Sequence, residues 1–178
     1  HTLCTKTYKQ TMSRLVLQFS QAVLQLLTAR EGGCSTQQIP LDNDKPFARE
    51  RMSEPIQTAL QNASLGACLW SDTSFTLFPR DLFDPTQLEA YYTLNHGQAN
   101  NQQHLLQQTI PNLDLVFIFS APVWLYDFTK YELQQPLQHS IAQQLQFCAQ
   151  QNPVDQVTLF IEAQHFVLVT FKNRQLIS

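Results

Sequence analysis

The last stretch of the chain constrains its fold more than any other part. Residues 157–171 read VTLFIEAQHFVLVTF, in which β-branched and aromatic residues fill two arms without an interrupting Pro or Gly. This pattern predicts two strands joined at Ala163 and Gln164. A fainter copy, LVLQFSQAVLQLL, occupies residues 15–27 and has the same order of strand, polar turn and strand. The two hairpins predict a fold that is built as a tandem repeat.

Between the hairpins, pairs of strands alternate with helices. Apart from the hairpins, the predicted strands are 66–71, 74–78, 104–110, 113–120 and 175–178. The predicted helices are 47–52, 53–63, 84–94, 122–133 and 140–152, and 35–45 is a predicted loop. The run at 113–120 is almost continuously apolar, which indicates a strand buried on both faces. This order favours an α/β fold with mixed sheets, and an unrelated α+β fold is the alternative.

Three of the helix starts follow from capping chemistry. Ser53, with Pro55 in the first turn, indicates that a new helix begins there, after the weakly predicted helix at 47–52. Asp84 is followed directly by a proline, which is typical of a cap and the first helical position. Ser140 and Gln143 have the spacing of a capping box, in which the two side chains satisfy each other's backbone N–H groups.

Composition excludes two classes of partner. The chain has 178 residues, of which 43% are hydrophobic and 14% charged, as expected of a folded domain rather than a disordered chain. Its net charge of −3 provides no basic surface, so we expect no nucleic-acid partner. No apolar run reaches the roughly 18 residues of a membrane helix, so we expect no membrane partner.

The cysteines and the opening residues indicate the compartment in which the protein works. The four cysteines, Cys4, Cys34, Cys68 and Cys148, form no CxxC pair, which is typical of reduced thiols in a cytoplasmic protein. The polar opening residues also lack the pattern of a signal peptide.

No metal site and no catalytic residue is predicted. The histidines considered as metal ligands are His96, His104, His139 and His165, and their spacing fits no ligand pattern. A nucleophile pair of Cys148 with His139 is disfavoured, because Cys148 lies on the apolar side of its predicted helix and is expected to be buried.

Four features of the sequence resemble a known family. They are the opening Ser13-Arg14-Leu15-Val16 hairpin, the Phe75–Pro79 strand followed by Leu82-Phe83 and a helix, the run 116–119, and His139 before an apolar helix and the closing hairpin. Together they resemble an uncharacterised family of Bacteroidetes-type bacterial proteins, a domain of unknown function with an actin-like ATPase (ribonuclease H-like) fold. The likeness covers residues 13–178. It implies a first lobe at 13–153 and the start of a second lobe at 154–178. Members of the family are longer at the C-terminus, so we expect the second lobe to be truncated.

The resemblance also implies where a nucleotide would bind. Actin-like ATPases hold phosphates and Mg²⁺ at the first hairpin turn of each lobe, using an acid at the end of the first strand and small residues in the turn. The corresponding positions are Ser20 and Gln21 in the first turn, and Glu162 and Gln164 in the second. Only Glu162 is acidic, and none of the four glycines lies in either turn. ATP hydrolysis is therefore disfavoured, no cofactor is expected, and ATP with Mg²⁺ at these four residues is the alternative.

The aromatic residues suggest that the chain binds protein rather than nucleotide. Trp124, Tyr126, Phe128 and Tyr131 crowd one predicted helix, and any of them that is exposed would anchor an interface. Our first hypothesis is a non-catalytic actin-like module, a pseudo-ATPase, that binds an unidentified protein partner or forms a homo-oligomer. The second is an actin-like ATP-binding enzyme with degenerate phosphate loops, and the third is a structural dimer of an unrelated α/β fold.

Overall fold

A computed structural model describes residues 13–41, 48–151, 153–161 and 166–177. The chain divides into two compact units, one extending to Ala67 and the other beginning at Cys68. The predicted division into lobes at 153/154 stays a prediction.

The first unit contains three antiparallel strands, one helix and the start of a fourth strand. Its strands are β1 (Ser13–Phe19), β2 (Val23–Arg30) and β3 (Gly33–Pro40), and α1 (Ala48–Leu60) precedes β4 (Ala63–Trp70). Strand β1 lies between β2 and β4, and β3 is at the edge. Leu15, Leu17 and Phe19 alternate along β1 and are fully buried, as a strand with one core face requires.

Two predictions for the first unit are wrong. Residues 35–40 of the predicted loop at 35–45 belong to strand β3, which pairs with β2 along all eight of its residues. Its polar residues are tolerated because most of the strand is exposed at the sheet edge. The predicted break before Pro55 is also absent, because α1 continues through it. Met52 and Ile56 lie one turn apart and are both buried, so packing outweighs the hydrogen bond that the proline removes.

The second unit contains an antiparallel sheet around one central strand. Strand β5 (Phe75–Pro79) precedes α2 (Leu88–His96), β6 (Gln103–Ile110) and β7 (Leu115–Pro122), with sheet order β5-β7-β6. All six residues from Val116 to Ala121 are buried, which confirms the prediction of a strand covered on both faces. Helix α2 contributes Tyr92 to the core beside Val116 and Ile118.

Asp84 caps the turn that leads into α2, as predicted. Its Oδ1 accepts from the backbone N–H of Thr86 at 2.9 Å and from the Thr86 hydroxyl at 2.8 Å. These hydrogen bonds to the ionised carboxylate lower the pKa of Asp84.

The remaining elements of the second unit follow β7 directly. Helix α3 (Val123–Asp127) continues into a π-helical turn (Phe128–Glu132), and a short strand, β8 (Leu137–His139), then pairs in parallel with residues 68–70 of β4. Helix α4 (Ser140–Gln150) comes next. The chain ends in a three-stranded antiparallel sheet of β9 (Gln156–Ile161), β10 (Phe166–Lys172) and β11 (Gln175–Leu176). The predicted closing hairpin is therefore confirmed, and its turn lies outside the described residues.

The predicted capping box at α4 is wrong. His139 is the cap, and its Nδ1 accepts from the backbone N–H of Ile141 at 3.2 Å. The Ser140 hydroxyl donates to Ser71 Oγ at 3.3 Å instead. Pairing of β8 with β4 fixes the backbone at His139 in extended geometry, which is the conformation that a cap residue needs.

Candidate functional site

The turn between β1 and β2 is the position at which an actin-like fold would hold phosphate, and here Ser20 and Val23 are hydrogen bonded to each other. The backbone N–H of Ser20 donates to the Val23 carbonyl at 2.9 Å, and the Ser20 hydroxyl donates to the same oxygen at 3.1 Å. The N–H of Val23 donates back to Ser20 Oγ at 3.1 Å. A phosphate would have to displace these hydrogen bonds before it could bind.

The chemistry of this turn does not fit a metal–nucleotide complex. Ser20 is half-buried, and Gln21 and Ala22 are exposed, so the turn offers one occupied hydroxyl and one neutral amide. Mg²⁺ is held through carboxylates and phosphate oxygens, and the turn has no carboxylate. The other two predicted cofactor-binding residues, Glu162 and Gln164, lie outside the described residues.

A second group of polar side chains lies at the carboxyl ends of the parallel strands β4 and β8. Ser71, His139 and Ser140 are all buried. The backbone N–H of His139 donates to Gln108 Oε1 at 3.1 Å. The carboxyl ends of parallel strands are where open α/β sheets bind ligands. The sequence patterns gave Ser140 a capping role and did not indicate that it meets Ser71 here.

The surroundings of His139 indicate a structural role for this group. Its ring centroid lies 4.8 Å from that of Phe117, 5.0 Å from that of Phe119 and 5.9 Å from that of Phe75. The ring is thus packed among aromatic side chains while its Nδ1 caps α4. Because no part of the His139 side chain is exposed, an external ligand does not reach it.

The thiols of the second unit are inert in their surroundings. Cys148 is buried, as predicted from its position on the apolar side of α4. Cys68 is also buried, and this raises the pKa of its thiol to about 12. A thiol with that pKa is protonated at neutral pH and is a poor nucleophile. Cys34, on the edge strand β3, is exposed.

The described ranges contain no cluster of metal ligands, and a polar groove lies in the first unit. No three His, Cys, Asp or Glu side chains within them lie close enough together to hold a metal ion. A groove of about 530 Å³ lies between α1 and strands β2 and β3. Its lining is Leu26, Thr28, Arg30, Ser35, Thr36, Gln37, Glu54, Pro55, Thr58, Ala59 and Asn62. Nothing in the sequence patterns pointed to this groove.

The aromatic cluster of α3 and the π-helical turn separates into core and surface residues. Phe128 is buried, whereas Trp124 is 40% exposed and Tyr131 is 66% exposed. Lys130 Nζ donates to Tyr126 Oη at 2.9 Å and lies 5.2 Å from the centre of the Tyr131 ring. The hydrogen bond to Tyr126 is the main reason that the pKa of Lys130 is raised. Exposed Trp and Tyr side chains are among the residue types that dominate binding hot spots, and Tyr131 also has a cation beside it.

Strands β9 and β10 expose an apolar surface, which we call the β9–β10 face. It consists of Val157, Leu159, Ile161, Phe166 and Leu168, each between 47% and 81% exposed. Ile161 pairs with Phe166 and Leu159 with Leu168, so these side chains lie together on one side of the sheet. On the opposite side, Val169 and Phe171 are buried. The sequence predicted the strands, but both sides are apolar in composition, so it did not indicate which one is exposed.

None of the described helices is long and apolar enough to cross a membrane.

Comparison with solved structures confirms the predicted fold class. A Bacteroides thetaiotaomicron protein described as having an actin-like ATPase fold and unknown function matches with a TM-score of 0.70 and 13% identity. The match covers 96% of this chain and 69% of that protein. A Ppx/GppA family member from Aquifex aeolicus gives a TM-score of 0.38 at 7% identity, over 94% of this chain and 49% of the other. At these identities the first likeness shows the fold, an actin-like α/β fold with mixed sheets, and nothing about activity.

Comparison of sequences identifies the family. None of the curated proteins matches the chain. A family model described as "Protein of unknown function (DUF3822)" matches residues 67–177, which is more than half of the chain. This match confirms the family resemblance that the four sequence features predicted. The chain therefore belongs to the DUF3822 family of proteins of unknown function.

Proposed function

We propose that this chain is a non-catalytic actin-like module, a pseudo-ATPase of the bacterial cytoplasm that acts by binding a protein partner or a second copy of itself. The β1–β2 turn carries the proposal. Its Ser20 hydroxyl and N–H are engaged with Val23, and no carboxylate accompanies them. Transfer of a phosphoryl group depends almost entirely on positioning and charge stabilisation, so a turn without these groups lacks what the reaction needs.

The exposed aromatic residues support binding as the activity. Trp124 and Tyr131 are the two exposed members of the cluster. An exposed aromatic residue of this cluster was predicted to anchor an interface, and these two residues are exposed. The free cysteines Cys34, Cys68 and Cys148 support the cytoplasmic location, since thiols persist where the compartment is reducing.

The alternative is an ATP-binding enzyme with degenerate loops, and hydrolysis distinguishes the two. We expect the chain to release no more phosphate from Mg²⁺-ATP than a Ser20→Ala/Gln21→Ala double variant, measured with a colorimetric assay. A contaminating ATPase would give the same release in both samples. Circular dichroism of the variant serves as the folding control. Release by the unaltered chain that falls about tenfold or more in the folded variant, a loss of about 1.4 kcal/mol of transition-state stabilisation, would contradict the proposal.

A further inference from the structure

We infer, on the basis of the proposed function, that the groove between α1 and the β2–β3 strands binds an extended segment of a partner protein. The segment adds a strand beside β3 and carries one acidic side chain for Arg30 and one basic side chain for Glu54. All of the residues that line the groove lie within 26–62, in the first unit.

Regular spacing places polar side chains on both walls of the groove. Thr28 pairs with Ser35 across the two strands, so their side chains lie on the same side of the sheet. Glu54 and Thr58 are four residues apart on α1 and therefore lie on one face of the helix. Within the described part of the chain, the three hydroxyl groups have no hydrogen-bond partner. They are therefore available to the amide groups of a bound segment, unlike the hydroxyl of Ser20.

Two opposite charges line the groove without neutralising each other. Arg30, at the end of β2, and Glu54, on α1, are both exposed. Neither forms an ion pair or a side-chain hydrogen bond with another residue of the described ranges. A guanidinium binds a carboxylate through two parallel hydrogen bonds, and a carboxylate accepts in the same way from a cationic side chain. A segment that carries both charges therefore complements the groove better than a segment of one charge sign.

Strand β3 supplies the backbone groups for such a segment. It is the edge strand of the described sheet, and seven of its eight residues are exposed. Proteins usually protect a long edge with a charge, a bulge or an internal proline. None of the eight residues is charged, the register with β2 has no bulge, and the proline is the last residue. An added strand would pair with the outward N–H and C=O groups, and its alternate side chains would face α1.

A set of synthetic peptides tests this inference by fluorescence polarisation. Each peptide carries a neutral dye, is capped at both ends and has eight residues, the length of β3. All residues are Thr, which favours strands, except for one Glu and one Lys that are placed at every spacing and in both orders. We expect one arrangement to bind the full chain with a micromolar dissociation constant. Its affinity should fall about tenfold or more in Arg30→Gln and in Glu54→Gln.

Two double variants separate recognition from a general effect of charge. Arg80→Gln/Glu89→Gln is the matched control, because it removes one charge of each sign from exposed positions of the second unit. It should bind the selected peptide like the unaltered chain. Arg30→Glu/Glu54→Arg should instead prefer the peptide in which Glu and Lys are exchanged, which a merely structural role of the two residues would not produce. Circular dichroism serves as the folding control for every variant.

Methylation of the peptide backbone tests the added strand itself. Two versions of the selected peptide, N-methylated at odd or at even positions, lose opposite sets of N–H donors. Only one edge of an added strand faces β3, so we expect one version to bind about tenfold more weakly than the other.

Three results would overturn the inference. They are a set of peptides of which none binds, a selected peptide that binds the groove variants as tightly as the matched control, and equal binding of the two methylated versions. In the first case the groove would be covered by this chain or a second copy, or would take a ligand of another class.

Phosphate release measured on the same samples separates this inference from the proposed function. A chain that binds no peptide and shows no turn-dependent release overturns only the groove as a binding site. A chain with turn-dependent release overturns the pseudo-ATPase proposal, whether or not a peptide binds.

Discussion

Replacing Phe117 with Ala should lower the free energy of unfolding by about 3–5 kcal/mol, because it removes the centre of the second unit's core. Phe117 is fully buried on β7. Its ring stacks on Phe75 with centroids 4.6 Å apart, and lies 4.8 Å from the ring of His139 and 6.0 Å from that of Phe119. Truncation to Ala leaves a cavity that three packed rings cannot fill without moving. Urea denaturation followed by circular dichroism measures the loss.

Phe117→Leu is the control for this prediction. It keeps an apolar side chain of similar volume, so we expect a smaller loss, of about 1–2 kcal/mol. If Phe117→Ala lost less than about 1 kcal/mol, the description of β7 as the central buried strand would be wrong.

Replacing His139 with Ala should lower the free energy of unfolding by about 2–5 kcal/mol, because the residue has two structural roles. Its Nδ1 accepts from the N–H of Ile141 at the start of α4, and its ring fills space beside Phe117 and Phe119. Loss of a cap costs about 0.5–2 kcal/mol, and the cavity left by the ring accounts for the rest. The same urea denaturation measures the effect.

His139→Asn separates the two roles. Asn is a good cap residue but does not fill the aromatic site, so its loss of stability should be smaller than that of His139→Ala by roughly the cap contribution, about 1 kcal/mol. Equal losses in the two variants would show that the cap contributes nothing. A His139→Ala variant as stable as the unaltered chain would contradict both roles.

Local patterns predicted the parts of the fold that depend on local structure. The closing hairpin and the buried strand at 113–120 were predicted from runs of strand-forming residues. The role of Asp84 as a helix cap was predicted from its position before a proline. These features depend on neighbouring residues, so the sequence is sufficient to find them. Comparison confirmed the actin-like fold that the four motifs indicated.

The incorrect predictions involve residues whose environment is set by distant parts of the chain. Strand β3 is polar, and it is a strand because β2 supplies its hydrogen bonds. The cap of α4 is His139 rather than Ser140 because β8, which was not predicted, pairs with β4 and orients the residue. Local propensity is a weak guide wherever tertiary pairing decides.

The candidate site was predictable in position but not in chemistry. The turn at Ser20 and Gln21 follows from the hairpin and its family likeness, whereas the engagement of Ser20 with Val23 requires coordinates. The aromatic cluster shows the same limit. Phe128 and Trp124 belong to the same aromatic run, and only packing determines that the first is buried and the second exposed.

Titration of the chain with Mg²⁺-ATP by isothermal calorimetry tests the central claim most directly, namely that the β1–β2 turn of this actin-like fold does not bind phosphate. We predict no binding stronger than about 1 mM, because the β1–β2 turn has no carboxylate and its Ser20 groups are already hydrogen bonded. A micromolar dissociation constant that weakens in the folded Ser20→Ala/Gln21→Ala variant would contradict the claim and support the ATP-binding enzyme instead.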